Sequence, residues 1–209
     1  MRKIFLTAVV ALIISVQSIC GAAEIHEAHF NSEENLKYPV VQTGNAAIDK
    51  KINAVIFSEI DGFVKDVYGN LYDDELRYID TNYKVACNEA NGTKILSIII
   101  GKNYCYMRAA HPAYYDQTLN FNLTTGELMD KSYLTDIGEG IPESYFIDKI
   151  TEQLLEYCAN KNISLYNDAL PLKELPKNFY WDENLHLHFI FNPYDVASYA
   201  YGIIDIVAE

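Results

Sequence analysis

The sequence predicts an α+β fold in which helices pack on one face of an antiparallel meander sheet. Apolar residues recur every three or four positions over 48–67, and again over 146–158. Between these stretches, and again near the end of the chain, apolar and polar residues alternate in short runs separated by turn-forming clusters. Helical and strand-like patterns are thus grouped along the chain, as segregated α+β architectures require.

Taken in order, Met1, Arg2 and Lys3 precede an apolar run from Ile4 to Val16, and "QSICGAAE" follows with small residues at Gly21, Ala22 and Ala23. This pattern predicts a secretory signal over 1–23, cleaved after Ala23. The run is shorter than the roughly 20 apolar residues that a membrane span takes, and nothing later is long enough, so no span is expected in the mature chain. Cys20 raises lipid attachment as an alternative, for which Gln17, Ser18 and Ile19 are poor neighbours. The polar, aperiodic residues 24–37, which include His26 and His29, predict a flexible leader.

"YPVVQTGN" predicts an extended piece ended by a helix cap at Asn45. The helix that follows carries one apolar stripe of Ile48, Ile52, Val55, Ile56, Ile60, Phe63 and Val67. A meander is predicted next, from Tyr78 to Cys87, through "NEANG", "TKILSIIIG" and "YCYMRAA", with "KN" as a further turn. After "HPA" breaks the pattern, Tyr115, Gln117, Leu119, Phe121 and Leu123 face one side of a strand and Asp116, Thr118, Asn120 and Asn122 the other. The first set is expected on a core and the second on water or a ligand. Pro142 opens a second helix with Phe146, Ile150, Leu154 and Tyr157 buried and Cys158 at the border. Strands over 184–191 and 203–207 close the chain, with "FNPYDVASYAYG" around the gap between them.

The full chain carries 16 basic and 29 acidic residues, a net charge of −13. Cleavage after Ala23 removes Arg2 and Lys3 and no acidic residue, which brings the charge to −15. Nucleic acid is excluded as a partner on this ground, and a cationic partner is favoured. The 17 tyrosines supply stiff, amphipathic contact surface suited to protein or glycan recognition. No glycine-rich phosphate loop or acid/base pair of carboxylates stands out, and no cofactor is expected. Cys87, Cys105 and Cys158 remain after cleavage, an odd number that leaves at least one unpaired. Cys105 and His111 are the one nucleophile–base pairing to consider, without any elbow motif to bring them together. "LHLHF" sets His186 and His188 on one face of a strand, with Asp182 and Glu183 near, which is the alternative reading of a metal-dependent envelope hydrolase.

At "AHPAYYDQTLNFNLTTGELMDKSYLTD" and "LPKNFYWDENLHLHFIFNPYDVASYAYGIIDIVAE" the chain resembles the RsiV-like extracytoplasmic domain family. That family includes the lysozyme-sensing part of certain bacterial anti-sigma factors, domains found beside peptidoglycan deacetylase domains, and stand-alone secreted proteins. The resemblance begins near "YPVVQTGNAAIDKKIN" and closes on a Phe-x-Phe-x-x-Tyr-acidic segment. It implies an α+β domain over 38–209 in two intertwined halves, about 38–130 and 131–209, without catalytic residues. Tyr194, Asp195, Ala197, Tyr199 and Gly202 match the closing signature, and Ser198 stands where proline is common. Three residues ahead of the apolar run are too few to hold a sigma factor, so a signalling factor is not expected. The expected function is that of a secreted or periplasmic, non-enzymatic envelope module that recognises a cationic protein such as lysozyme, or peptidoglycan. Tyr114, Tyr115, Tyr194, Asp195, Tyr199 and Tyr201 are its candidate contacts. Phe189 and Phe191 are expected on the apolar face, with Tyr194 packing back and its hydroxyl bonded.

Overall fold

The computed structural model describes residues 21–69, 75–137 and 142–208; the predicted signal and Cys20 lie, but for 21–23, outside the described residues. In chain order the elements are β1 (Glu24–His29), β2 (Lys37–Gln42), α1 (Ala46–Gly69), β3 (Leu76–Ala90), β4 (Thr93–Tyr106), β5 (Ala113–Asn122), α2 (Lys131–Ile137), α3 (Glu143–Lys161), β6 (Phe179–Trp181), β7 (Leu187–Phe191) and β8 (Ile204–Ala208). Short 3₁₀ turns cover Phe30–Ser32 and Tyr199–Tyr201. The strands form three antiparallel sheets, β1-β2, β3-β4-β5 and β6-β7-β8, and the fold is α+β as the patterns require. No described helix is long and apolar enough to cross a membrane.

Helix α1 starts where its cap predicts. The Asn45 Oδ1 accepts the N–H groups of Ala47 (3.0 Å) and Ile48 (3.4 Å), and Asp49 of the first turn holds the Thr43 N–H at 2.7 Å. Its stripe of Ile52, Ile56, Ile60, Phe63 and Val67 is buried against Leu96, Ile98, Ile100, Leu119 and Phe121 of the central sheet. Helix α3 buries Ile150, Leu154 and Cys158 against Phe179, Phe189, Phe191, Ile204 and Ile206, the core of the last sheet.

The β3–β4 hairpin belongs to both cores. Ile79, Ile98 and Ile100 pack under α1, while Cys87, Ala90 and Ile95 at its tip pack with the second core. Strands of 15 and 14 residues rise roughly 3.3 Å per residue, long enough to run from one core to the other. The tip is closed by Asn91 (φ 51°) and Gly92 (φ 80°), flanked by the paired Ala90 and Thr93. Two positive φ values in succession are what a two-residue type I′ hairpin needs, and Asn-Gly tolerates them best.

Three asparagines act as substitute strands. A primary amide offers a donor and an acceptor side by side, as a peptide unit does. Asn53 of α1 clamps Val41 N and O (both 2.8 Å), Asn88 clamps Ala23 (2.9 and 2.7 Å), and Asn192 clamps Asp116 (2.7 and 3.0 Å).

Several expectations are corrected. Residues 24–37 are not a flexible leader: β1 pairs with β2 from Glu24↔Gln42 to His29↔Lys37, and Phe30 and Leu36 are buried in the first core. Their apolar residues are too sparse to show a period, and a distant partner orders them. "KN" is no turn, because Lys102 and Asn103 lie within β4, paired with Thr81 and Asp80 on one side and Tyr115 and Tyr114 on the other. The polar face of β5 does not meet water along its length: Thr118 and Asn120 are buried. They are covered by β6, a three-residue strand with too little pattern to be read from sequence.

Candidate functional site

The end of β7 and the start of β5 meet in an open cleft of about 350 Å³, lined by His111, Tyr114, Tyr115, Asn192, Tyr194, Asp195 and Tyr199 among others. The closing segment forms one wall through its local hydrogen bonds. The Asn192 N–H donates to Asp195 Oδ2 (2.7 Å), the Asp195 N–H to the Asn192 carbonyl (3.0 Å), and the Tyr194 N–H to the Ala197 carbonyl (3.1 Å). Val196 and Ala197 are buried behind it and anchor the wall. Gly202 ends the segment at φ 72°, ψ −155°, a region essentially reserved for glycine.

Tyr194 sits in the left-handed region at φ 75° with 56% of its surface exposed. A bulky residue there is strained by about 1–3 kcal/mol, and such strain concentrates at functional surfaces. Its ring does not pack back into the protein; its hydroxyl is bonded to His111 Nε2 at 3.1 Å. The imidazole of His111 stacks on Tyr199 with centroids 3.9 Å apart, and Tyr114 meets Tyr199 edge-on at 5.2 Å. Burial pushes the Tyr199 hydroxyl up, with Tyr114, Tyr78 and Tyr194 adding to the shift. The Asp195 carboxyl is also pushed up by burial, against the opposing effect of the Asn192 N–H.

Five of the six candidate contacts therefore border one cleft. Tyr115 is at its edge, but its ring packs edge-on against Phe63 of α1 at 6.1 Å, where burial holds its hydroxyl at about 12. Tyr201 stands apart, its hydroxyl held by Ser164. The sequence offers His111 only within the "HPA" break and as a possible base for Cys105. Nothing local marks it as a partner for residues 83 positions later.

The histidines of "LHLHF" do not share one face of a strand, because only His188 lies within β7. His186 precedes β7 and its Nδ1 lies 3.1 Å from Asp182 Oδ2. His188 is enclosed, with 15% of its side chain exposed, stacked on Tyr180 at 4.5 Å and with Nδ1 3.0 Å from Asp205 Oδ1. Among the described residues no three His, Cys, Asp or Glu side chains converge to hold a metal. Cys105 is buried, its thiol directed to the Tyr106 carbonyl, while His111 bonds Pro112 and Tyr194, so the two do not form a couple. Cys87, Cys105 and Cys158 are all unbridged and buried.

The Asp182 turn makes a pH prediction. Burial opposes its charge, but the His186 N–H (2.8 Å), the His186 imidazole and the Asn184 N–H (2.9 Å) outweigh burial and hold the carboxyl at about 2. A depressed carboxyl stabilises the fold above its unfolded pKa of about 3.9 and loses that contribution as pH falls through the folded value. Asp182→Asn is thus expected to flatten the melting temperature profile between about pH 4 and pH 2, with the wild type falling more steeply.

No curated protein matches the chain. Residues 133–207, which supply α3, the last sheet and the Tyr194–Tyr199 wall of the cleft, match the model of a domain family that is found in RsiV-like proteins and described as a protein of unknown function, DUF3298.

Proposed function

We propose that this chain is a non-enzymatic binding module of the bacterial envelope that recognises a cationic protein such as a lysozyme. The observation that carries the proposal is the cleft itself: an exposed, strained Tyr194 beside Tyr199, Tyr114 and Asp195, on a chain of net charge −13. Rigid tyrosines give contact area at little entropic cost, and Arg and Lys side chains are attracted to their faces. The excess of acid supplies long-range steering of a basic partner. The resemblance of the closing segment to lysozyme-sensing domains supports the same partner class.

Calorimetric titration of the secreted chain with lysozyme, at low and at moderate salt, tests this reading. Saturable binding that weakens as salt rises is the expected result. The absence of heat at both salts overturns it. Binding to peptidoglycan fragments alone replaces the protein partner with a glycan.

A further inference from the structure

We infer that His111 is the positioning residue of this cleft, holding Tyr194 and Tyr199 in their binding arrangement through the hydrogen bond and the stack of its imidazole. Its Nδ1 lies 2.8 Å from the Pro112 carbonyl. A carbonyl only accepts, so Nδ1 carries a proton, and in the tautomer protonated there alone Nε2 presents a lone pair. The Tyr194 hydroxyl, 3.1 Å away, donates to that lone pair. The same ring covers Tyr199 at 3.9 Å and 27°, and Tyr199 in turn braces Tyr114. One imidazole thus ties the loop before β5 to the closing segment. It also restrains a tyrosine whose backbone is strained and whose half-exposed ring is otherwise met by Tyr199, with centroids 5.9 Å apart.

Protonation of His111 changes both links. Nε2 becomes a donor, and the Tyr194 hydroxyl has to turn its own proton away and accept. A positive charge also enters the cleft. The titratable groups around it are Tyr114 and Tyr115 of β5 and Tyr194, Asp195 and Tyr199 of the closing segment, with Tyr78 and Cys105 behind Tyr199. A cationic partner meets a less favourable surface on acidification.

The consequence for affinity rests on the proposed function, but the consequence for the free protein does not, and the experiment separates them. In the unliganded chain, NMR is expected to show the Tyr194 and Tyr199 ring resonances moving with the protonation state of the His111 imidazole. His111→Phe, which keeps a stacking ring without an acceptor, is expected to leave Tyr199 near its wild-type shift, move Tyr194 and abolish the pH response. His111→Gln, which keeps an acceptor without the stack, is expected to move Tyr199, leave Tyr194 near its wild-type shift and likewise abolish the pH response. Lysozyme affinity is expected to fall about tenfold in His111→Ala, the scale of one lost hydrogen bond and stack. Tyrosine resonances indifferent to His111 protonation and to all three substitutions overturn the inference, whatever the affinity. Coupled resonances in a wild type that does not bind lysozyme uphold the positioning role and overturn the partner.

Discussion

Asn120→Ala is expected to destabilise the protein by about 3 kcal/mol, because two buried polar groups lose their partners at once. Asn120 is 2% exposed. Its Nδ2 donates to the Phe179 carbonyl at 2.7 Å, and its Oδ1 accepts the Ser97 hydroxyl at 2.7 Å. The Ser97 oxygen accepts the Trp181 N–H at 3.1 Å. This chain of bonds joins β4 and β5 of the central sheet to β6 of the last one, and both Ser97 and Asn120 are closed off from the surface. For a chain of this size the loss corresponds to a fall of about 6–12 °C in melting temperature. Asn120→Leu restores volume but not the bonds, and is expected to remain within about 1 kcal/mol of the alanine variant. Thermal melts of the two variants check this, and a near-wild-type melting temperature for either contradicts it. The Ser97→Ala, Asn120→Ala double variant is expected to cost less than the two single changes together, since the second change removes a group already orphaned.

Lys102→Ala is expected to cost a similar amount, about 3 kcal/mol, for a different reason. Lys102 lies in the middle of β4 and is 3% exposed. Its ammonium is paired with Glu59 of α1 and lies 5.6 Å from the Phe63 ring centre and 5.4 Å from that of Tyr115. Truncation leaves Glu59 facing the sheet without its counter-charge and opens space beneath α1. Lys102→Met keeps the stem and the contact with both rings, so its cost is expected to be about half that of alanine. The melting temperatures of both variants, measured across ionic strength, decide the matter. Lys102 is enclosed while the Glu59 side chain is 31% exposed, so salt is expected to reduce the difference between wild type and Lys102→Ala only in part, whereas a fully exposed pair would fade.

The fold was legible where its signals are local. The α1 stripe, the Asn45 cap and the Asn91-Gly92 turn each depend on residues within one or two turns of chain, and each stands where the pattern puts it. Where the structure differs, the deciding contact is distant in sequence. Residues 24–29 become a strand because 37–42 pairs with them and Asn88 holds Ala23. Lys102 reads as a turn residue because charge inside a strand is unusual, and only Glu59, 43 positions earlier, makes its burial tolerable. Asn120 reads as solvent-facing because alternation marks two faces without saying what covers the second.

The candidate site divides in the same way. Tyr194, Asp195 and Tyr199 were drawn from one segment whose aromatic and proline content is visible in the chain, and Tyr114 from the strand after "HPA". Their convergence needed the β5 edge and the end of β7 to be clamped together by Asn192 on Asp116. His111, considered in the sequence only beside Cys105, became a partner of Tyr194 and Tyr199 through that convergence.

The sequence by itself determined the α+β class, the α1 stripe and its Asn45 cap, the tight hairpin turn and the acidic, tyrosine-rich composition. Periodicity, backbone preference and charge are properties of neighbouring residues and of composition. The tertiary structure alone decided which polar residues are enclosed, that 24–37 is ordered, and that His111 stands against Tyr194 and Tyr199. Each of these rests on hydrogen bonding and packing between segments far apart in the chain, which no local pattern records.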